Sequence, residues 1–243
     1  MAGGAAGGGM TEPPALTLPP KRTLAEDVTD RLRDAIFRGQ FVPGQRLSEA
    51  QLAQALGVSR GPIREAFDRL EREGLIASQA NGRSLVAQLS RRDLEEVYTL
   101  RVALERLAVE RAAQAATEAD FAALEANTAA LEAAVARGLG EQEAATLDVE
   151  FHDLLYRAAH HGHLWEAWAN IRSQVYLFLL SRNRASPDYR GRSIAEAHAG
   201  LVRALRAGEA AQAGAAIETH LRGAYDYIAQ GFGEDNTGGA TAG

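Results

Sequence analysis

The chain has 243 residues, with 26 Lys+Arg against 32 Asp+Glu, a formal net charge of −6 and no cysteine. That length holds one large domain or two small ones, and zero cysteine excludes disulfides, Fe–S clusters and thiolate zinc sites while suiting a cytoplasmic location. No long apolar run spans a membrane, and the leader MAGGAAGGGM lacks the basic and apolar regions of a signal peptide.

The acidic balance argues against nucleic acid only until it is divided along the chain. Residues 21–90 carry a net +2, residues 91–230 a net −5, and the tails add Glu12, Glu234 and Asp235. Lys21 is the only lysine, so arginine forks dominate the cationic groups. The composition, rich in alanine and with 6% aromatics, favours packed helices over a sheet-rich fold.

In chain order, residues 1–20 read as a disordered Gly/Ala/Pro leader. Thr23 with Glu26 has capping-box spacing, and Val28, Leu32, Ile36 and Phe37 recur on one helical face up to Gly39. Ser48 with Gln51 opens a short helix, Leu52 to Leu56, stopped at Gly57; Ser59 is placed to cap the next, which tolerates Pro62 in its first turn and runs to Gly74. Asn81-Gly82 between two β-compatible runs predicts a hairpin. This order, over 21–89, predicts a winged helix-turn-helix. Residues 90–232 then read as an antiparallel all-helical bundle, with helices near 91–115, 118–137, 141–160, 163–182, 190–207 and 209–231. Residues 233–243 read as a disordered tail.

The segment from Ser48 through Gly57-Val58-Ser59-Arg60-Gly61-Pro62-Ile63-Arg64-Glu65-Ala66 carries the chemistry of the first domain. Two short helices across a Gly-Val-Ser turn present the N-terminal residues of the second to a major groove. Arg60 and Arg64 lie four apart, on one face, where guanidinium forks reach guanine or phosphate. Gly61 admits a phosphate close to the backbone, Ser59 offers a hydroxyl, and Asn81, Gly82 and Arg83 form a wing tip suited to a minor groove. A solvated helix face is the bland alternative for an Arg pair.

Residues 24–88 resemble the winged-helix domain of the GntR family of bacterial transcriptional regulators. The likeness runs through Leu47-Ser48-Glu49, Leu52-Ala53, Gly57-Val58-Ser59-Arg60, Pro62-Ile63-Arg64-Glu65-Ala66, Leu70 and Glu73-Gly74-Leu75-Ile76. It implies DNA contacts at Arg60, Gly61, Arg64, Asn81 and Gly82. Ala50 stands where some members carry arginine, and Ala80 where a wing proline is common.

In the second domain, Asp148 and His152 are i, i+4, while His198 and His220 fall on two later helices beside their apolar stripes. Three imidazoles and a carboxylate converging in a bundle suit Zn²⁺ or Ni²⁺; hydrogen-bonded core histidines are the alternative, and His160, His161 and His163 form a competing cluster. Residues 91–231 resemble the FCD effector domain of the FadR subfamily, through Leu100-Arg101, Leu104-Glu105, Asp148-x3-His152, His198 and Ala204–Gly208 leading to His220-Leu221. The resemblance implies a divalent metal on Asp148, His152, His198 and His220, zinc before nickel, beneath a pocket for a small carboxylate. It also makes Arg101 the anion anchor, against the alternative of a surface ion pair with Glu105. Asn170, Arg172 and Tyr176, on the helix before an expected loop at 183–189, are further effector candidates.

The expectation is therefore a homodimeric, ligand-responsive regulator, most often a repressor in such families, that binds a palindromic operator in double-stranded DNA. A metal-dependent hydrolase and a regulator with a purely structural metal are its rivals.

Overall fold

A computed structural model describes residues 22–80, 82–185 and 192–232, with only the backbone at 184, 185 and 192. The expected leader and tail, and Asn81, lie outside the described residues. The first domain runs α1 (Leu24–Phe37), β1 (Arg46–Leu47), α2 (Glu49–Leu56), α3 (Arg60–Arg72), β2 (Ile76–Ser78) and β3 (Ser84–Val86). The second is all helix: α4 (Arg91–Ala115), α5 (Glu118–Ala136), α6 (Glu141–Ala158), α7 (Gly162–Ala185), α8 (Arg192–Arg206) and α9 (Ala210–Gly231).

Local chemistry sets most boundaries. Thr23 and Glu26 close a capping box on α1, Ser90 and Asp93 one on α4, and Thr117 and Asp120 one on α5. Gly57 ends α2 in the left-handed region at φ +67°, which forms the turn of the helix pair. Ser59 occupies the position before α3, yet its side chain makes no cap hydrogen bond. The expected hairpin pairs β2 with β3, Ser78 opposite Ser84. A two-residue strand, β1, joins it in the order β1-β3-β2; it is too short to leave an alternating pattern in the sequence.

Val28, Leu32, Ile36, Ile63, Phe67 and Leu70 interlock α1 with α3 under the small sheet, while Leu52 is only half-buried. The bundle core is larger and continuous, with Phe151, Leu155, Tyr156, Trp168, Leu179 and Leu201 fully buried. α7 runs three residues past the expected end at 182, so Asn183 is helical rather than in a loop.

The two domains meet on α7. Phe37 at the end of α1 stacks on Tyr176, ring centroids 4.1 Å apart. Ser173 Oγ donates to Glu73, whose carboxylate also takes two hydrogen bonds from Arg33. Gly74, at φ +69°, lies against the Gln174 side chain, so an added Cβ would collide with its amide. Gly74→Ala combines that collision with a left-handed backbone. It is expected to lower stability by ~1–2 kcal/mol in urea denaturation; an unchanged midpoint would mean the joint yields freely.

Candidate functional site

The reading head is built by α2, α3 and the hairpin. Ser59, Arg60, Gly61, Arg64, Gly82 and Arg83 are all exposed. Arg64 Nη2 lies 3.3 Å from Glu49 Oε2 on α2, an exposed ion pair. Ser78 gives both its amide and its hydroxyl to Glu71 of α3, so the hairpin is tied to the helix it accompanies. Glu49 and Glu71 carry no mark in the sequence beyond being acidic. With no side-chain cap, the first-turn amides of α3 remain open to an anion.

In the bundle, Asp148 and His152 of α6, His198 of α8 and His220 of α9 each offer a donor atom within 4.8 Å of the others. His152 Nε2 and His198 Nε2 stand 3.3 and 3.4 Å from His220 Nε2. Asp148 Oδ1 is 3.4, 3.5 and 3.9 Å from His152, His198 and His220. Donors about 2.05 Å from a tetrahedral zinc sit ~3.3 Å from one another, so the set fits a small dication with little adjustment. Asp148 Oδ1 is buried without an aligned hydrogen bond, as expected of an atom kept for an ion.

Fixed neighbours hold each donor. Arg182 donates to Asp148 Oδ2 at 2.9 Å, leaving Oδ1 to the imidazoles. Glu105 Oε2 lies 2.8 Å from His152 Nδ1, and Arg101 Nε holds the other Glu105 oxygen. That carboxylate sets His152 to present Nε2 to the cluster. The His198 ring stacks on Phe151 at 3.7 Å.

The electrostatics follow from this packing. Burial alone would raise the Asp148 carboxyl, but the adjacent imidazoles and Arg182 outweigh it and hold it well below the usual carboxylate range. Burial pushes His198 down and His220 well down, so both are neutral, ligand-competent bases near neutral pH. For His152 burial is opposed by Glu105 and Asp148, and the net direction is upward. His220 lies at the edge of the cluster and lines an open groove of about 600 Å³ between α8 and α9, a route from solvent.

Residues 24–86 match the model for "Bacterial regulatory proteins, gntR family", and residues 96–223 match the FCD domain. The chain belongs to the gntR family. It is 34% identical to the uncharacterized HTH-type transcriptional regulator YdhC of Bacillus subtilis over 70% of this chain and 75% of that protein. It is 28% identical to the HTH-type transcriptional repressor RspR of Escherichia coli over 65% and 69%. The transcriptional regulator GntR of Rhodococcus sp. RHA1 superposes with TM-score 0.71 at 27% identity, covering 84% of this chain and 96% of that one. The family comprises DNA-binding transcriptional regulators, not enzymes, so the hydrolase reading falls away.

The structure separates the four effector candidates of this gntR-family chain. Arg101 is buried near the cluster, not on the surface; its ion pair with Glu105 forms inside the core, and its Nη2 has no hydrogen-bond partner among the described residues. It lines a cavity of about 30 Å³ between α4, α7 and α9. Asn170 is exposed, Arg172 is clamped bidentately to Asp153, and Tyr176 is the ring that stacks on Phe37. The structure does not bring these three to the Asp/His cluster: Asn170 faces solvent, Asp153 of α6 takes Arg172, and Tyr176 faces α1. Of His160, His161 and His163, His160 pairs with Asp120 and His163 with Glu166, while His161 Nδ1 accepts from the Leu164 amide. No metal-ligand group forms from them among the described residues.

Glu105→Gln keeps the shape but weakens the hold on His152. A 10–100-fold loss of zinc affinity is expected by competition with a chelating dye; unchanged affinity would make Glu105 a packing residue only. Arg64→Ala should cost ~1–3 kcal/mol on an operator selected from randomised duplexes, and much less on random DNA, if Arg64 reads a base. Equal losses on both would make it a phosphate contact.

Proposed function

We propose that this chain is a cytoplasmic, homodimeric repressor of the FadR type that binds a palindromic operator and responds to a small carboxylate metabolite. The metabolite would bind at a divalent metal, zinc before nickel, on Asp148, His152, His198 and His220. Base and phosphate contacts are assigned to Ser59, Arg60, Gly61, Arg64 and the Asn81-Gly82-Arg83 wing. The repressor sense follows relatives such as RspR that carry that name.

One observation supports the carboxylate most. Around the cluster, Arg101 neutralises Glu105 and Arg182 neutralises Asp148. The imidazoles most shifted by burial are neutral, so a bound dication would bring charge that no further acid balances among the described residues. An anionic ligand removes that cost. Arg101, with a buried donor left over, is placed to take part of the same anion. When bound, the metal supplies a Lewis-acidic anchor for one carboxylate oxygen; the protein supplies a fixed donor set, a guanidinium and dry walls of Trp168, Phe151 and Tyr156.

The cavity beside Arg101 is small, and on this reading a metabolite reaching Arg101 shifts α7 and α9 against α4. α7 carries Ser173 and Tyr176, the contacts to the reading head. A ligand that prefers the shifted arrangement changes DNA affinity by that preference and no more.

The test measures metal content by mass spectrometry, then titrates the selected operator with a panel of carboxylic acids, with and without chelator. The wild type is expected to carry about one zinc per chain, and one acid class should change operator affinity only when metal is present. His198→Ala should lose the metal and the response while keeping its helical circular dichroism. Full metal content in that variant would overturn the ligand set. Chelation that unfolds the bundle, with no acid changing DNA binding, would leave a purely structural metal.

A further inference from the structure

The cavity beside Arg101 is walled by α4, α7 and α9, and Arg101 is the only charged side chain in its lining among the described residues. Leu94 and Val97 of α4, Val175 and Leu179 of α7, and Leu221 and Ile228 of α9 make most of the rest, all buried. On each of these helices the lining runs straight into the Asp/His cluster. On α4, Arg101 stands one turn before Glu105, which touches His152. On α7, Leu179 stands three residues before Arg182, which holds Asp148. On α9, Leu221 directly follows His220. Leu94, Val97, Arg101 and Glu105 recur at threes and fours, so one stripe of α4 changes from apolar to charged at Arg101.

A site of this kind offers an anion-binding head and an apolar body. At the head, Arg101 Nη2 is a buried donor without a hydrogen-bond partner among the described residues. From Arg101 back to Leu94 the lining extends ~10 Å along α4, at 1.5 Å per residue. The other polar side chains in it are Tyr98 and Tyr225, half-buried and stacked on each other with ring centroids 4.4 Å apart. Two phenols cannot satisfy every hydroxyl of a sugar acid, and a buried hydroxyl left unpaired costs binding energy. A second carboxylate would meet no second cation in this lining, and a buried charge without a partner costs more still. A hydrocarbon chain or an aromatic ring meets neither penalty and gains from leaving water. We infer that the ligand is an apolar monocarboxylate, its carboxylate at Arg101 and the Asp/His cluster and its hydrocarbon body between α4, α7 and α9. The inference rests on the carboxylate reading above and adds the character of the rest of the molecule.

The test is isothermal titration calorimetry on the full chain loaded with zinc, against matched probes that differ in one feature at a time. Hexanoate should bind with a negative heat-capacity change, the mark of apolar burial. Butanoate, two methylenes shorter, should bind about tenfold more weakly. Gluconate adds hydroxyls and adipate a second carboxylate, and each should bind roughly 100-fold more weakly than hexanoate. Hexan-1-ol, which lacks the anion, should not compete. Ala224→Leu narrows the cavity and should weaken hexanoate about tenfold, with circular dichroism confirming the fold. Should that variant not fold, the wild-type series decides. Gluconate or adipate binding as tightly as hexanoate, or more tightly, would overturn the apolar body while the carboxylate reading stands. A folded Ala224→Leu chain that binds hexanoate as the wild type does would overturn the placement of that body. Hexan-1-ol binding as tightly as hexanoate would overturn the anionic head, and with it the carboxylate reading. No binding by any acid would overturn both.

Discussion

A carboxylate buried from bulk solvent must be held by charge, and Asp148 is the group on which the second domain depends. Arg182 takes one of its oxygens and three imidazoles crowd the other. Each element that supplies a partner is thereby fixed: α6 by Asp148 and His152, α7 by Arg182, α8 by His198 and α9 by His220. Breaking one member leaves the rest buried and uncompensated, a penalty larger than the pair itself ever contributes. The cluster thus specifies how four helices sit before any ion is considered, and Glu105 with Arg101 extends the same constraint to α4.

α7 carries the constraint outward. Arg182 lies nine residues, or ~14 Å, from Ser173 along this helix, and Ser173 donates to Glu73 at the end of the reading helix α3. Three different chemistries meet at that joint: a ring stack at Phe37–Tyr176, a carboxylate shared by Arg33 and Ser173, and a glycine seated against Gln174. None is a large apolar surface, so the joint orients the head without welding it to the bundle.

Much of this was legible in the sequence because the chain punctuates itself. Capping boxes at Thr23, Ser90 and Thr117 and a glycine turn at Gly57 set boundaries that tertiary packing had little power to move. α7 outlasts its expected end because no glycine or proline stands before Pro187 to stop it, so Asn183 remains helical. Spacing put Arg101 and Glu105 on one face without saying whether that face was wet. Burial, at 6% and 0%, came from packing against α6 and α7 that no local pattern records. Asn170, Arg172 and Tyr176 were chosen by residue type. Periodicity separates Asn170, on the far side of the helix, but not Arg172, which is four residues after Trp168 and three before Val175 on the inward stripe; only the packing shows that Asp153 takes its guanidinium.

The division of charge acquires its meaning from this geometry. A head of net +2 gains little non-specific hold on DNA, so its affinity rests on the aim of a few side chains. Among those groups, Arg64 pairs with Glu49 in an exposed ion pair, and the hairpin is tied to α3 through Glu71. A head that binds mainly through aim is sensitive to small changes in orientation, whereas one that binds through bulk charge is not. On the proposed reading, the bundle therefore needs no large motion to regulate. A shift of α7 sufficient to admit a carboxylate beside Arg101 moves the joint at Glu73, at the foot of the reading helix, and misaligns contacts that have little non-specific attraction to fall back on.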